Sequence, residues 1–187
     1  MTAPPPVSRL PPELLVRVFE YLVICSSPAI LLQICHRWAD IASSISSLWS
    51  RIDFSTPPEP FLRHCSDQPI EVILSVLFAT PRSTLLAVKE VLRHHGDRIR
   101  KLLLCLPADQ LRAIEPDLSR TFPILMDVSI SVNRSSLTAF LHLDCPEWWP
   151  VMIHVSPIRY LRLLLVKTPW IPGCFQHLVE FFLHDQW

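Results

Sequence analysis

Apolar side chains recur along this chain in one spelling, apolar-x-x-apolar-x-apolar, and that spelling constrains the fold more than any other feature. It appears at Trp49, Ile52 and Phe54; at Ile99, Leu102 and Leu104; and at Leu125, Val128 and Ile130. It returns at Ile158, Leu161 and Leu163, and at Leu178, Phe181 and Leu183. A further run, Ile70, Val72, Leu74 and Val76, alternates simply. Alternation of period two places one set of side chains on one face of a strand. Six strands are therefore expected, near 51–54, 70–76, 100–106, 125–131, 159–165 and 179–184. Their centres lie at intervals of roughly 20–33 residues, the range of solenoid repeats. Units that short cannot bury their apolar positions alone and must stack on neighbours. A solenoid with strands side by side, parallel and in sequence order is the expectation, with Leu102, Leu104, Val128, Ile130, Leu161 and Leu163 inward. An ordinary α/β domain is the alternative.

Between the strands, the segment 83–95 is the clearest helix. Ser83 reads as its cap, Leu85, Leu86, Val88, Val91 and Leu92 as its apolar positions, and Gly96 as its stop. Helical stretches near 58–66, 108–121 and 135–143 are also expected. The N-terminal part differs. Leu14, Leu15, Val18, Phe19 and Leu22 fall on one helical face, with Pro12 suited to the first turn. A second helix is expected from Ser27-Pro28, with Leu31, Ile34, Cys35, Trp38 and Ile41 as its apolar positions. A third, short helix or turn is expected at 46–49. The run Thr56-Pro57-Pro58-Glu59-Pro60 marks a break.

The ordered residues of this N-terminal part resemble an F-box. They are Leu10-Pro11-Pro12-Glu13-Leu14-Leu15 with Phe19 and Leu22, then Leu31-Leu32-Gln33-Ile34-Cys35-His36-Arg37-Trp38, then Ile41-Ala42 and Ser47-Leu48-Trp49. The rest is similar, more loosely, to the leucine-rich-repeat-like tails of fungal F-box proteins. The fold expected on that basis is α + α/β: a three-helix F-box at 8–50 after a flexible tail at 1–7, then an irregular leucine-rich-repeat-like solenoid with a parallel sheet at 51–187, shortened or complete at its C-terminus. The resemblance implies a Skp-type adaptor as partner and, through it, a cullin–RING ligase, with an unidentified protein substrate. By position it implies adaptor contacts at Leu10, Pro11, Glu13, Leu14, Ile34, Cys35 and Trp38. For Trp38, and more so for Phe19 and Leu22, a place in the core is the competing reading. A three-helix unit this small carries more apolar surface than it can bury, and the surplus should form a partner-facing patch.

Composition excludes several function classes. Seventeen basic and seventeen acidic side chains give a net charge of zero, so no nucleic-acid footprint is expected. No apolar run is long enough for a membrane span, and the start lacks the pattern of a signal peptide, so a cytoplasmic or nuclear place is expected. Two glycines against nineteen prolines leave almost no material for phosphate loops or nucleophile elbows. The six cysteines are scattered without a CxxC and read as buried reduced thiols. Cys35-His36 and His64-Cys65 lack the other half of a metal site, His177 and His184 lack a third ligand, and His94-His95 close a helix. The small cluster Arg98, Arg100 and Lys101 reads as a solvated turn. No enzyme, cofactor or metal is expected.

Residues between the inward strand positions face the open side of the sheet. The last two rows hold Tyr160, Arg162, Phe182 and His184, a composition enriched at binding hot spots, and these four are the candidate substrate contacts. The competing explanation is that Phe182 and Trp187 cover an uncapped edge. Two further functions stay open: an adaptor-binding protein that works without a cullin, and a truncated, non-functional family member.

Overall fold

The computed structural model describes residues 10–75, 80–132, 157–164 and 178–184. The chain divides into two units, the first made of 1–50 with 59–68 and the second of 51–58 with 69–187.

In the first unit, helix α1 runs Pro12–Cys25, with Pro12 in its first turn as expected. Ser27 caps a 3-10 turn over Pro28–Ile30, its hydroxyl accepting from the Ala29 N–H at 3.4 Å. The expected second helix is in fact two, α2 (Leu31–Ile34) and α3 (His36–Ser44). Between them Cys35 is fully extended, with φ −163° and ψ 162°. A continuous helix would put Leu31, Ile34, Cys35 and Trp38 on one face. The break instead turns Leu31 and Trp38 inward and leaves Ile34 and Cys35 exposed. A 3-10 turn at Ser46–Trp49 follows. Helix α4 (Glu59–His64) returns to this unit, a departure from the boundary expected at residue 50. Trp49 explains the return. It is fully buried, 5.8 Å edge-on to Phe61 and 4.7 Å from the His64 ring, and its Nε1–H donates to the Ala42 carbonyl at 2.8 Å.

The second unit is a mixed α/β structure built on a parallel sheet. Strands β1 (Arg51–Ile52), β2 (Ile70–Ser75), β3 (Ile99–Leu106), β4 (Asp127–Val132), β5 (Tyr160–Leu164) and β6 (Glu180–His184) lie in sequence order, every pair parallel. The register aligns Val72, Leu102, Val128, Leu161 and Phe181 in one row and Leu74, Leu104, Ile130, Leu163 and Leu183 in the next. The six positions expected inward are all buried. Helix α5 (Arg82–His95) contributes Val88, Val91 and Leu92 to the core, and α6 (Ala108–Leu118) contributes Leu111, Ile114 and Leu118. The helix expected at 135–143, the tail at 1–7 and Val76 lie outside the described residues.

Two local expectations change. Ser83 lies inside α5 and makes no cap; Pro81 precedes the helix without a side-chain cap bond. Gly96 is right-handed, φ −57°, and starts a 3-10 turn rather than a left-handed stop. Its absent side chain matters for packing, since a Cβ there would stand 3.3 Å from the Phe122 ring. With glycine so scarce, left-handed positions fall to Phe54 (φ 56°) and Ser66 (φ 46°), conformations that are costly for a bulky side chain.

One buried carboxylate ties α5 to α6. Asp117 accepts from Arg93 at 3.1 Å, and Lys89 approaches its second oxygen at 3.9 Å. Because Arg93 is 41% exposed in its side chain, water can solvate it when the partner is lost. Asp117→Ala is therefore expected to destabilise the second unit by about 1–3 kcal/mol rather than more, read as a shift in the denaturant midpoint; no shift would assign the pair no structural weight. At the end of α5, burial and the neighbouring Arg98 cation hold His95 below the usual histidine value.

Candidate functional site: an outward apolar stripe and an open sheet face

The first candidate surface belongs to α1. Five apolar residues were expected on one face, but the helix divides them. Leu15 and Phe19, four apart, are fully buried. Leu14, Val18 and Leu22, also four apart, form an outward stripe, with Tyr21 and Ile24 exposed beside it on the same helix. Leu22 thus belongs to the surface, not the inner stripe. The small core cannot cover so wide an apolar face.

Of the residues implied as adaptor contacts, Pro11, Glu13, Leu14, Ile34 and Cys35 are exposed, Leu14 and Ile34 by about half. Leu10 is half-buried, and its carbonyl accepts from the Arg37 guanidinium at 2.5 Å, which ties the entry of α1 to α3. Trp38 differs from the expectation of a patch shared with Leu10 and Pro11. Its ring lies 4.9 Å from Phe19 and it is buried. Cys35 is exposed, contrary to the expectation of buried thiols, whereas Cys65 is buried. The i, i+4 spacing of Leu14, Val18 and Leu22 was visible in the sequence. Which stripe turned outward was not.

The second candidate surface is the open face of the sheet. There the register aligns Lys101, Asp127, Tyr160 and Glu180 in one row, and Leu103, Ser129, Arg162 and Phe182 in the next. These residues, up to Arg162 and Glu180, line a groove of about 460 Å³. Lys101 and Asp127 close on each other at 2.8 Å. Tyr160 is 45% exposed, and Arg162 and Glu180 are exposed. The structure thus brings Tyr160 and Arg162 to one groove, while the side chains of Phe182 and His184 lie outside the described residues. Asp127, Ser129 and Glu180 complete the groove although they were not singled out. Their open-face positions were readable, but their neighbours depend on register.

No group of three metal-binding side chains occurs among the described residues, and no helix among them is long and apolar enough to cross a membrane.

Comparison with curated proteins returns no match, and comparison with solved structures returns none. A family model described as F-box-like does match, over residues 7–55. That span contains α1, α2, α3 and the turn that delivers Trp49. The chain is therefore a protein with an F-box-like domain at its N-terminal end.

Proposed function

We propose that this protein is the substrate-recognition subunit of a Skp–cullin–F-box ubiquitin ligase. The observation that carries the reading is the outward stripe of Leu14, Val18 and Leu22 on an F-box-like unit. A contiguous apolar surface of this kind marks a protein interface, and a Skp-type adaptor is the partner that an F-box implies. The protein supplies proximity and no transfer chemistry of its own, and it acts in the cytoplasm or nucleus without a cofactor.

The second unit serves as the receptor. Its in-order parallel sheet and the repeated inward leucines support reading it as a short leucine-rich-repeat-like solenoid. Substrate binds at the open face around Tyr160 and Arg162, with Phe182 and His184 next in register.

Affinity capture of the tagged full-length chain with the proteasome inhibited tests both halves. Adaptor and cullin are expected together. Adaptor without cullin would favour an interaction protein that works outside a ligase, and recovery of neither would sink the reading. In the same experiment Tyr160→Ala with Arg162→Ala should lower recovery of the remaining partners by about tenfold or more, with adaptor recovery unchanged. Loss of solubility without selective loss of partners would instead assign this end of the sheet to edge protection.

A further inference from the structure

The open-face groove is uneven for a simple reason. In the row Leu103, Ser129, Arg162, a short serine stands between two longer side chains. The neighbouring strands are about 4.8 Å apart, so Ser129 floors a trough one strand wide. Its mouth is the adjacent row, Lys101, Asp127, Tyr160 and Glu180. An extended chain laid over β4 can lower one side chain into this trough.

The charges at the mouth are not equally available. Lys101 and Asp127 are bonded at 2.8 Å and each is only about one-third exposed, so they neutralise each other. Arg162 is already engaged. Glu180 is exposed and forms no ion pair among the described residues. It stands directly beside Tyr160 in register. Among the described residues, the unspent groups at the mouth are thus a carboxylate and the face of an exposed phenol, both of which attract a cation. An acidic visitor would have to draw Lys101 away from Asp127 or Arg162 from its present contact.

We propose that this groove takes a basic side chain, an arginine or lysine of an extended segment of the protein substrate, with its aliphatic stem over Ser129 beside Leu103 and its cationic head between Tyr160 and Glu180. This rests on the open face being the substrate surface. It specifies the chemistry of the residue recognised there.

Short capped peptides, Ser-Thr-X-Thr-Ser with X arginine, glutamate or norleucine, provide the probe, titrated against the purified full-length chain. The arginine peptide should bind about tenfold more tightly than the norleucine peptide, from the cation–π contact and the exposed ion pair together. Raising salt should shrink that preference. Tyr160→Leu and Glu180→Gln should each reduce it several-fold. Both side chains are exposed, so folding should survive either change. Preference for glutamate, equal binding of the three peptides, or no measurable binding would each overturn the inference. Failure here remains distinct from failure of the receptor reading. Partner capture that depends on Tyr160 and Arg162 without an arginine preference sinks only the cation; capture indifferent to both residues sinks the receptor surface itself.

Discussion

Full-length protein carrying Leu14→Asp and Ile34→Asp is expected to lose adaptor binding by about a hundredfold or more, with its fold retained. Each side chain is about half exposed, so neither contributes much to the core in the free chain. Surface changes of this kind usually move stability by no more than about 0.5 kcal/mol. Leu14 lies in the first turn of α1, where an added carboxylate also interacts favourably with the helix N-terminus. At an interface the same two positions act differently. A buried apolar anchor contributes about 2 kcal/mol or more, and an aspartate there must be desolvated without a partner. Two such losses, even short of additive, amount to about two orders of magnitude. Titration of a purified Skp-type adaptor checks this, with the melting temperature as the folding control. Unchanged affinity in a folded double variant would remove α1 and Ile34 from the interface. Trp38→Ala cannot serve the same purpose, since a buried ring against Phe19 confounds folding with binding.

The sheet was the most legible part of this molecule because a strand's period is two and one face is fully buried. Leu102, Leu104, Val128, Ile130, Leu161 and Leu163 follow from spelling alone, and a one-residue slip would have turned them all outward. The break at Cys35 was not legible. Neither proline nor glycine marks it, and the local pattern reads straight through from Leu31 to Ile41. The extended Cys35 lets Leu31 and Trp38 enter the core together, a tertiary cause that no local signal reports. The role of Gly96 was hidden in the same way, because its constraint comes from Phe122, far along the chain. On the open face, the outward residues could be read off, but the groove could not. It depends on Ser129 standing between Leu103 and Arg162 and on Lys101 reaching Asp127, and each is a relation between different strands.

The return of α4 to the first unit has the largest expected consequence for stability. Phe61 is fully buried, and its ring meets the equally buried Trp49 edge-on at 5.8 Å. Trp49→Ala removes the largest fully buried side chain of this core and should cost about 3–5 kcal/mol. A unit of this size has only several kcal/mol of stability in total, so it should be largely unfolded in that variant. Phe61→Ala should act in the same direction, by about 3 kcal/mol, although it lies beyond the residues that match the F-box-like model. Trp49→Phe should be milder. It keeps an aromatic ring for Phe61, and the Ala42 carbonyl retains the Ile45 N–H as a donor at 3.2 Å, so about 1–2 kcal/mol is expected. Hydrogen exchange resolves these effects by segment. In Trp49→Ala and Phe61→Ala, peptides from α1 and α3 should lose protection while those from β3 and β4 keep theirs. If protection across α1 and α3 stays at the wild-type level in Phe61→Ala, α4 is an accessory to the F-box-like unit rather than part of its core. If β3 and β4 lose protection as well, the two units unfold as one.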